Sequence, residues 1–334
     1  MERPLVSIII ITCDRPFLLK HCLQRVFDQP YPRKEVIVVD SSSSDESEQV
    51  VALFPEALSI RLRGQRNNMP QARNAGIDAS SGDILAFIDD DAMVKPGWLA
   101  SLLKMYRDET VGAVGGRVIE MPEPHCDEVR GSPRMLIKPS GRVIGKNRGA
   151  FSTQEIEVDH LPGGNMSFRR EVLEQIGGSD PNYTLTNLRE ETDLCVRVKM
   201  AGWHIMFVPT MAVMHFSERA RSPFAWSRPY ILFSHGRNSM YFAIKHFGCN
   251  PRTLIGQLIV DAGVDASKLF FRAGQLSLSA VAQVIGRVVG LVAGIALLMS
   301  SQRRAAAAPK IGRGEQVGTE QVSLPVASQS ESLT

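Results

Sequence analysis

The 334-residue chain is 44% hydrophobic and 22% charged, which excludes a collagen, a wholly disordered chain and a polytopic transporter. Its length allows about two domains at ~150 residues each. With 38 basic against 35 acidic residues, the net charge of +3 is too mild to argue for a nucleic-acid partner.

Cys13, Cys22, Cys126, Cys195 and Cys249 form no Cys-x-x-Cys pair, so a zinc ribbon or a disulfide scaffold is disfavoured and reduced, cytoplasmic thiols are expected. Leu5 to Cys13 is apolar but too short to span a bilayer and lacks a leader's cleavage site, so it reads as a buried strand. Strand signals follow at residues 6–11, 35–39, 59–62, 84–88, 111–114 and 205–208, the last closed by Pro209. Helical spacing covers 16–26, 70–79, 98–106, 171–176, 190–201 and 222–248, with Ser44 or Asp45 as a cap for a further helix. The alternation predicts an α/β fold, a mostly parallel sheet flanked by helices. Residues 121–160 read as a long loop.

Residues 254–300 change character. Two charge-free stretches, 273–286 and 288–302, are separated by Arg287, and each is too short to span a membrane. One reading is an amphipathic segment on an anionic membrane; the other is helices packed on protein. The tail after Ala305 is rich in Ala, Pro, Gly, Ser and Gln and reads as disordered. The expected organisation is an α/β domain over 1–220, a C-terminal helical, membrane-associated or packed region over 221–302 and a tail over 303–334.

Asp89-Asp90-Asp91 follows a strand apolar enough to be central. Ligands of open α/β sheets bind beyond the carboxyl ends of such strands. Three adjacent carboxylates repel unless a cation lies among them, and hard divalent ions join carboxylates to substrate phosphates. A metal-bound phosphate ligand is therefore expected, against the alternative of a solvated acidic turn. Neither a glycine-rich dinucleotide fingerprint nor a Walker lysine motif is present. Asp40, ending the second strand, suits a ribose or base edge, or else a turn. Glu190-Glu191-Thr192-Asp193 opens a helix, where acids are favoured by the dipole and where one could serve as a general base.

These pieces resemble family 2 glycosyltransferases of the GT-A fold over roughly residues 5–216. Five blocks stand in the family's order: SIIIITCDRP (7–16), VIVVDSSSSD (36–45), ARNAGIDASSGDILAFIDDD (72–91), GGNMSFR (163–169) and REETDLCVRVKMAGWHIMFVPTMAVMH (189–215). The resemblance implies metal-dependent transfer of a sugar from a nucleoside-diphosphate sugar. It places Thr12, Asp40 and Asp45 around the nucleoside and Arg73 near the diphosphate. Asp89, Asp90 and Asp91 match the Asp-x-Asp element, with Asp91 as Mg²⁺ or Mn²⁺ ligand, Asp89 toward the ribose or the metal, and His215 near the metal. Gly163, Gly164 and Asn165 match the loop lining the donor sugar. The family's base is usually the Asp of a Glu-Asp pair; here the pair is Glu190-Glu191, so Glu191 is the expected base and Asp193 the fallback.

The implied reaction is a single in-line displacement with inversion. Neither the spanning helices nor the Gln-x-x-Arg-Trp motif of processive synthases is seen, so single addition to a glycan or lipid-linked acceptor is expected, at the inner face of the cytoplasmic membrane if 254–302 touches lipid. Arg237, Asn238, Tyr241, Lys245 and His246 resemble a segment that follows the catalytic domain in many relatives. The alternatives are a non-catalytic nucleotide-sugar-binding module and a haloacid dehalogenase-like phosphotransferase with Asp89 as nucleophile. The latter fits poorly, because Met93 stands where that family expects Thr or Val.

Overall fold

The computed structural model describes residues 3–64, 68–121, 135–137, 143–144, 154–216, 228–250 and 288–301. Strand β1 (Val6–Thr12) is buried along its whole length, as a nearly unbroken Ile/Val run requires of a strand covered on both faces. It pairs in parallel with β2 (Lys34–Asp40) on one side and β4 (Ile84–Asp89) on the other, and β3 (Ala57–Arg61) extends the sheet beyond β2. The connections are α1 (Pro16–Phe27), α2 (Glu46–Val51) and α3 (Met69–Ala79). Pro16 opens α1, where its missing N–H costs nothing, and the Asn68 side chain caps α3 by accepting from the Gln71 N–H. Alternate β1 residues feed two cores. Ile8 and Ile10 pack with Leu19 and Leu23 of α1, whereas Ile9 and Ile11 pack with Phe87 and Ala72.

After β4 come β5 (Ala92–Val94), α4 (Trp98–Met105) and β6 (Val111–Glu120). The short pairs β7 (Leu136–Ile137) with β8 (Val143–Ile144), and β9 (Ile156–Glu157) with the later strand β11 (His204–His215), are what the structure describes of the 121–160 loop. Strand β10 (Asn165–Arg169) leads into α5 (Arg170–Ile176), and α6 (Glu190–Met200) precedes β11. The sheet order is β3-β2-β1-β4-β10-β6-β11-β5, with β9 on β11. Strand β10 runs antiparallel between β4 and β6, so its first residue lies at the carboxyl end of β4. The direction thus reverses beside the strand that carries the aspartates.

One expectation is corrected and two strands are added. Strands β5 and β10 were not anticipated, being only three and five residues long. The last strand does not end at Pro209: β11 continues to His215, and its pairing with β6 shifts register between Val208 and Val213. Such an irregularity accommodates a residue with no N–H to donate. The 220/221 boundary, residues 254–287 and the 303–334 tail fall outside the described residues.

Helix α7 (Arg228–Phe247) covers the 222–248 prediction where it is described. Residues 288–301 are also helical, and they pack on α7. A Cβ on Gly290 would collide with the Phe233 carbonyl, and one on Gly294 with that of Arg237, so the two helices meet backbone to backbone. Leu291 fills the space between Met240 and Ile244. The opposite face leaves Val288, Val289, Val292 and Met299 exposed. Among the described residues, no helix is long and apolar enough to cross a membrane. Gly294→Leu forces this contact apart and is expected to cost about 1–3 kcal/mol, the usual range for overpacking. A urea denaturation curve with an unshifted midpoint would contradict the close approach.

Candidate active site

The carboxyl ends of β1, β2 and β4 set a hydroxyl and two acids side by side. Thr12 ends β1 opposite Asp40 of β2, and Ile11 lies opposite Asp89 of β4. Asp40 is buried and accepts a 2.8 Å hydrogen bond from the Ser42 N–H; its second oxygen has no partner. Burial pushes its carboxyl above the usual range, against the hydrogen bonds of Ser42. Asp45 stands apart. Its exposed carboxylate pairs with Arg61, which also holds Glu48 at 2.9 Å, and it makes no capping bond to α2.

The three consecutive aspartates take different environments. Asp90 points into the protein and is fully buried. It accepts from Thr12 Oγ1 at 2.7 Å and lies 2.5 Å from Arg15 Nη2. Burial pushes it up to about 7 despite Arg15, with Asp91 and Asp89 adding to the rise. Asp91 meets Arg15 Nη1 at 2.5 Å through one oxygen and His215 Nε2 at 3.2 Å through the other. Although burial opposes it, His215 and Arg15 together hold Asp91 below the ordinary carboxylate value. The other nitrogen of His215 lies 3.1 Å from Glu120. Its place at the end of β11, opposite Ala92 of β5, brings a residue more than 120 positions away back to the aspartates.

Asp89, Asp91 and His215 each offer one ligand atom within 4.8 Å of the others. Oδ1 of Asp89 is a buried oxygen with no hydrogen-bond donor. A divalent cation held by hard oxygen ligands and one imidazole fits this set.

The glycine turn before β10 joins that triad to α6. A Cβ on Gly164 would collide with the Asp89 carboxylate. One on Gly163 would stand 3.2 Å from Arg73 Nη2 and 3.5 Å from the Glu191 Cβ. Arg73 of α3, fully buried over the Phe87 ring, donates to Glu190 at 2.9 Å and to the Gly163 carbonyl at 3.2 Å. It therefore supports the turn and the head of α6 from behind. Asn165 is likewise buried, and both ends of its amide are engaged. Oδ1 accepts from Trp98 at 2.9 Å, and Nδ2 donates to the Met211 and Arg117 carbonyls at 2.8 and 3.2 Å.

Glu191 differs from its neighbours on α6. Glu190 is paired with Arg73, and Asp193 with Arg197, Lys245 and His246. Although burial opposes it, the hydrogen bond to His246 and the charges of Arg197 and Lys245 hold Asp193 far below the ordinary carboxylate value, so the fallback base is committed to these partners. Burial, then the adjacent Glu190 charge, pushes Glu191 up to about 7, with Arg189 and Arg73 pulling the other way. Sequence reasoning missed Arg15, Glu120 and Asp180, whose roles depend on partners distant in the chain.

The fold is that of the GT-A glycosyltransferases. A mannosyltransferase from Pyrobaculum calidifontis, solved with GDP-Man and Mn²⁺, superposes with a TM-score of 0.54, covering 92% of this chain and 88% of that one at 21% identity. At that identity the likeness concerns the fold alone. The chain belongs to glycosyltransferase family 2: residues 7–177, just over half of it, match the family described as "Glycosyl transferase family 2". It is similar to the glucosyl-dolichyl phosphate glucuronosyltransferase of Haloferax volcanii, 26% identical over 66% of this chain and 72% of that protein. It is also similar to the glycosyltransferase AglE of the same organism, 36% identical over 55% of this chain and 64% of that protein. The chain thus spans less than two thirds of that second relative. Family membership sets aside the phosphotransferase alternative.

Arg73→Met is expected to destabilise the fold by about 3–5 kcal/mol, because it strands Glu190 as a buried charge. Adding Glu190→Gln should restore part of the loss. A single variant with wild-type urea midpoint would remove the pair from this structural role.

Proposed function

We propose that this glycosyltransferase moves one sugar from a nucleoside-diphosphate sugar to a hydroxyl of a glycan or lipid-linked acceptor, with inversion at the anomeric carbon and dependence on Mg²⁺ or Mn²⁺. One observation carries the reading. Glu191 stands beside Gly163 with no ion-pair partner among the described residues, while the same two-glycine turn touches the Asp89–Asp91–His215 triad.

In this reading, Asp40 and Thr12 border the nucleoside at the ends of β2 and β1. Asp45 would join them only by releasing Arg61. Asp89, Asp91 and His215 would hold the metal, which supplies Lewis-acid stabilisation of charge on the departing diphosphate. Asp90, sealed behind them, fixes Thr12 and Arg15 instead of touching the donor. Gly163 and Gly164 let the sugar approach the backbone, and Asn165 and Arg73 hold that turn in place. Glu191 accepts the acceptor hydroxyl's proton, and the oxygen displaces the nucleoside diphosphate from the opposite face. Its raised pKa lies close to neutrality, where a general base combines availability with basicity.

A lipid-linked acceptor is supported by the Haloferax relative, whose name specifies a dolichyl phosphate. Contact of 254–302 with the inner face of the cytoplasmic membrane has the exposed row Val288, Val289, Val292 and Met299 in its favour.

Calorimetry against a panel of UDP-, GDP- and dTDP-sugars, with Mn²⁺ and with chelator, tests the donor site. One donor should bind only with metal, and Asp91→Asn should lose that dependence. Absence of binding by every donor, with and without lipid vesicles, would overturn the reading. Glu191→Gln should retain donor binding but lower turnover by about 10²- to 10⁴-fold. The wild-type rate should rise through pH ~7 as Glu191 loses its proton. A flat profile from pH 5 to 9 would exclude Glu191 as the base.

A further inference from the structure

Helix α6 starts in an unusual way. Its N-cap, Arg189, has φ of 76° and makes no side-chain capping bond. Leu185 and Asn187 also have positive φ, 69° and 55°, so three of the five residues leading into the helix are left-handed without being glycine. Such conformations cost on the order of 1–3 kcal/mol each and persist only where surrounding contacts impose them.

The segment that carries these residues is held by one face of α7, at positions 234, 238, 241 and 245, the i, i+4, i+7, i+11 pattern of a single helical stripe. Ser234 Oγ lies 2.6 Å from Thr186 Oγ1 and accepts the Thr186 N–H at 3.1 Å. Asn238 donates to the Thr184 carbonyl at 3.1 Å. Tyr241 donates to Asp180 at 2.9 Å. Lys245 Nζ bridges Asp180 at 2.7 Å and Asp193 at 2.6 Å, and His246 Nε2 lies 2.7 Å from the same Asp193 oxygen. Asp193 is two residues beyond Glu191. All of these residues lie after the 7–177 span that defines the family.

We propose that Lys245 and His246 are positioning residues for Glu191: acting through Asp193, they lock the first turn of α6, and the Lys245 charge offsets the acids behind the base. The proposal rests on the reading of Glu191 as the base. Glu191 is thereby held between two anchored neighbours, Glu190 on Arg73 and Asp193 on α7. The groups facing Asp193 are Tyr183, Arg197, Lys245 and His246, with Asp180 sharing Lys245. The charges acting most strongly on Glu191 are Glu190, Arg189 and Arg73, and Asp193 lies two residues further along α6. Removing Lys245 leaves the paired acids Asp180 and Asp193 one positive charge short. The excess negative charge disfavours ionised Glu191, so the base needs a higher pH to lose its proton.

The test uses the full chain, the donor selected by the panel, and release of nucleoside diphosphate, hydrolysis by water included. Lys245→Met is expected to lower kcat ~10-fold or more through lost orientation. It should also move the acidic limb of the pH–rate profile upward by about half a unit, while the donor Kd holds. Lys245→Arg should return the limb to its wild-type place, and His246→Leu should lower kcat in the same direction. If Lys245→Met does not fold, Lys245→Gln keeps a donor without the charge and is read in the same way. An unmoved limb, or a kcat loss matched by equal loss of donor binding and thermal stability, overturns the proposal. Glu191→Gln separates the two failures: full turnover there defeats the base assignment, whereas an inactive Glu191→Gln beside an unmoved Lys245→Met limb defeats only the brace.

Discussion

Crowded negative charge at one edge of a sheet is the constraint on which the rest of this structure depends. Asp40, Asp89, Asp90, Asp91, Glu190, Glu191 and Asp193 converge at the carboxyl ends of the strands and the head of α6. Burying carboxylates is costly unless each is paired and hydrogen-bonded. The fold meets this with dedicated partners: Arg15 for Asp90 and Asp91, Arg73 for Glu190, and the cations Lys245 and Arg197 together with the His246 ring for Asp193. Among the described residues, Asp40, Asp89 and Glu191 have no such ion pair. They are the acids proposed to face the nucleoside, the metal and the acceptor. The counter-charge supplied by the protein separates structural from ligand-facing acids except at Asp91, which is paired with Arg15 and also belongs to the proposed metal triad.

The topology explains how the pieces reach one place. The parallel half, β3-β2-β1-β4, delivers Thr12, Asp40 and Asp89 to a common edge. The antiparallel β10 then starts at that edge, which places the turn of Gly163 and Gly164 against Asp89 and Glu191. The long β11 passes its irregularity at Pro209 and ends with His215 against Asp91. Local rigidity comes from outside each element: α6 lacks a side-chain cap and is gripped by α3 and α7 instead.

Much of this was legible in the chain. The apolar runs of β1, β2 and β4 declare buried parallel strands, because a strand covered on both faces shows no alternation. The acids following β2 and β4 mark the ligand edge by the same logic. Short elements were not legible. Three residues of β5 and five of β10 carry too little pattern, and the register shift that carries β11 past Pro209 depends on its neighbour, not on its own residues. The C-terminal helix was legible as apolar, with packing on protein as one of two readings; Gly290 and Gly294 acquire meaning only beside Phe233 and Arg237.

The sequence by itself determined the family, the α/β class and the set of acids available to the chemistry, since these reside in local pattern and residue identity. Only the tertiary structure decided what each acid does. Asp90 and Asp91 are adjacent, yet one turns inward to Thr12 and Arg15 and the other toward His215. Glu190, Glu191 and Asp193 share one helical turn, yet two are neutralised by residues more than 50 positions away and one is not. The physical reason is that a carboxylate's protonation and freedom are set by the charges and burial around it. Those surroundings are assembled by long-range contacts that no local stretch of sequence encodes.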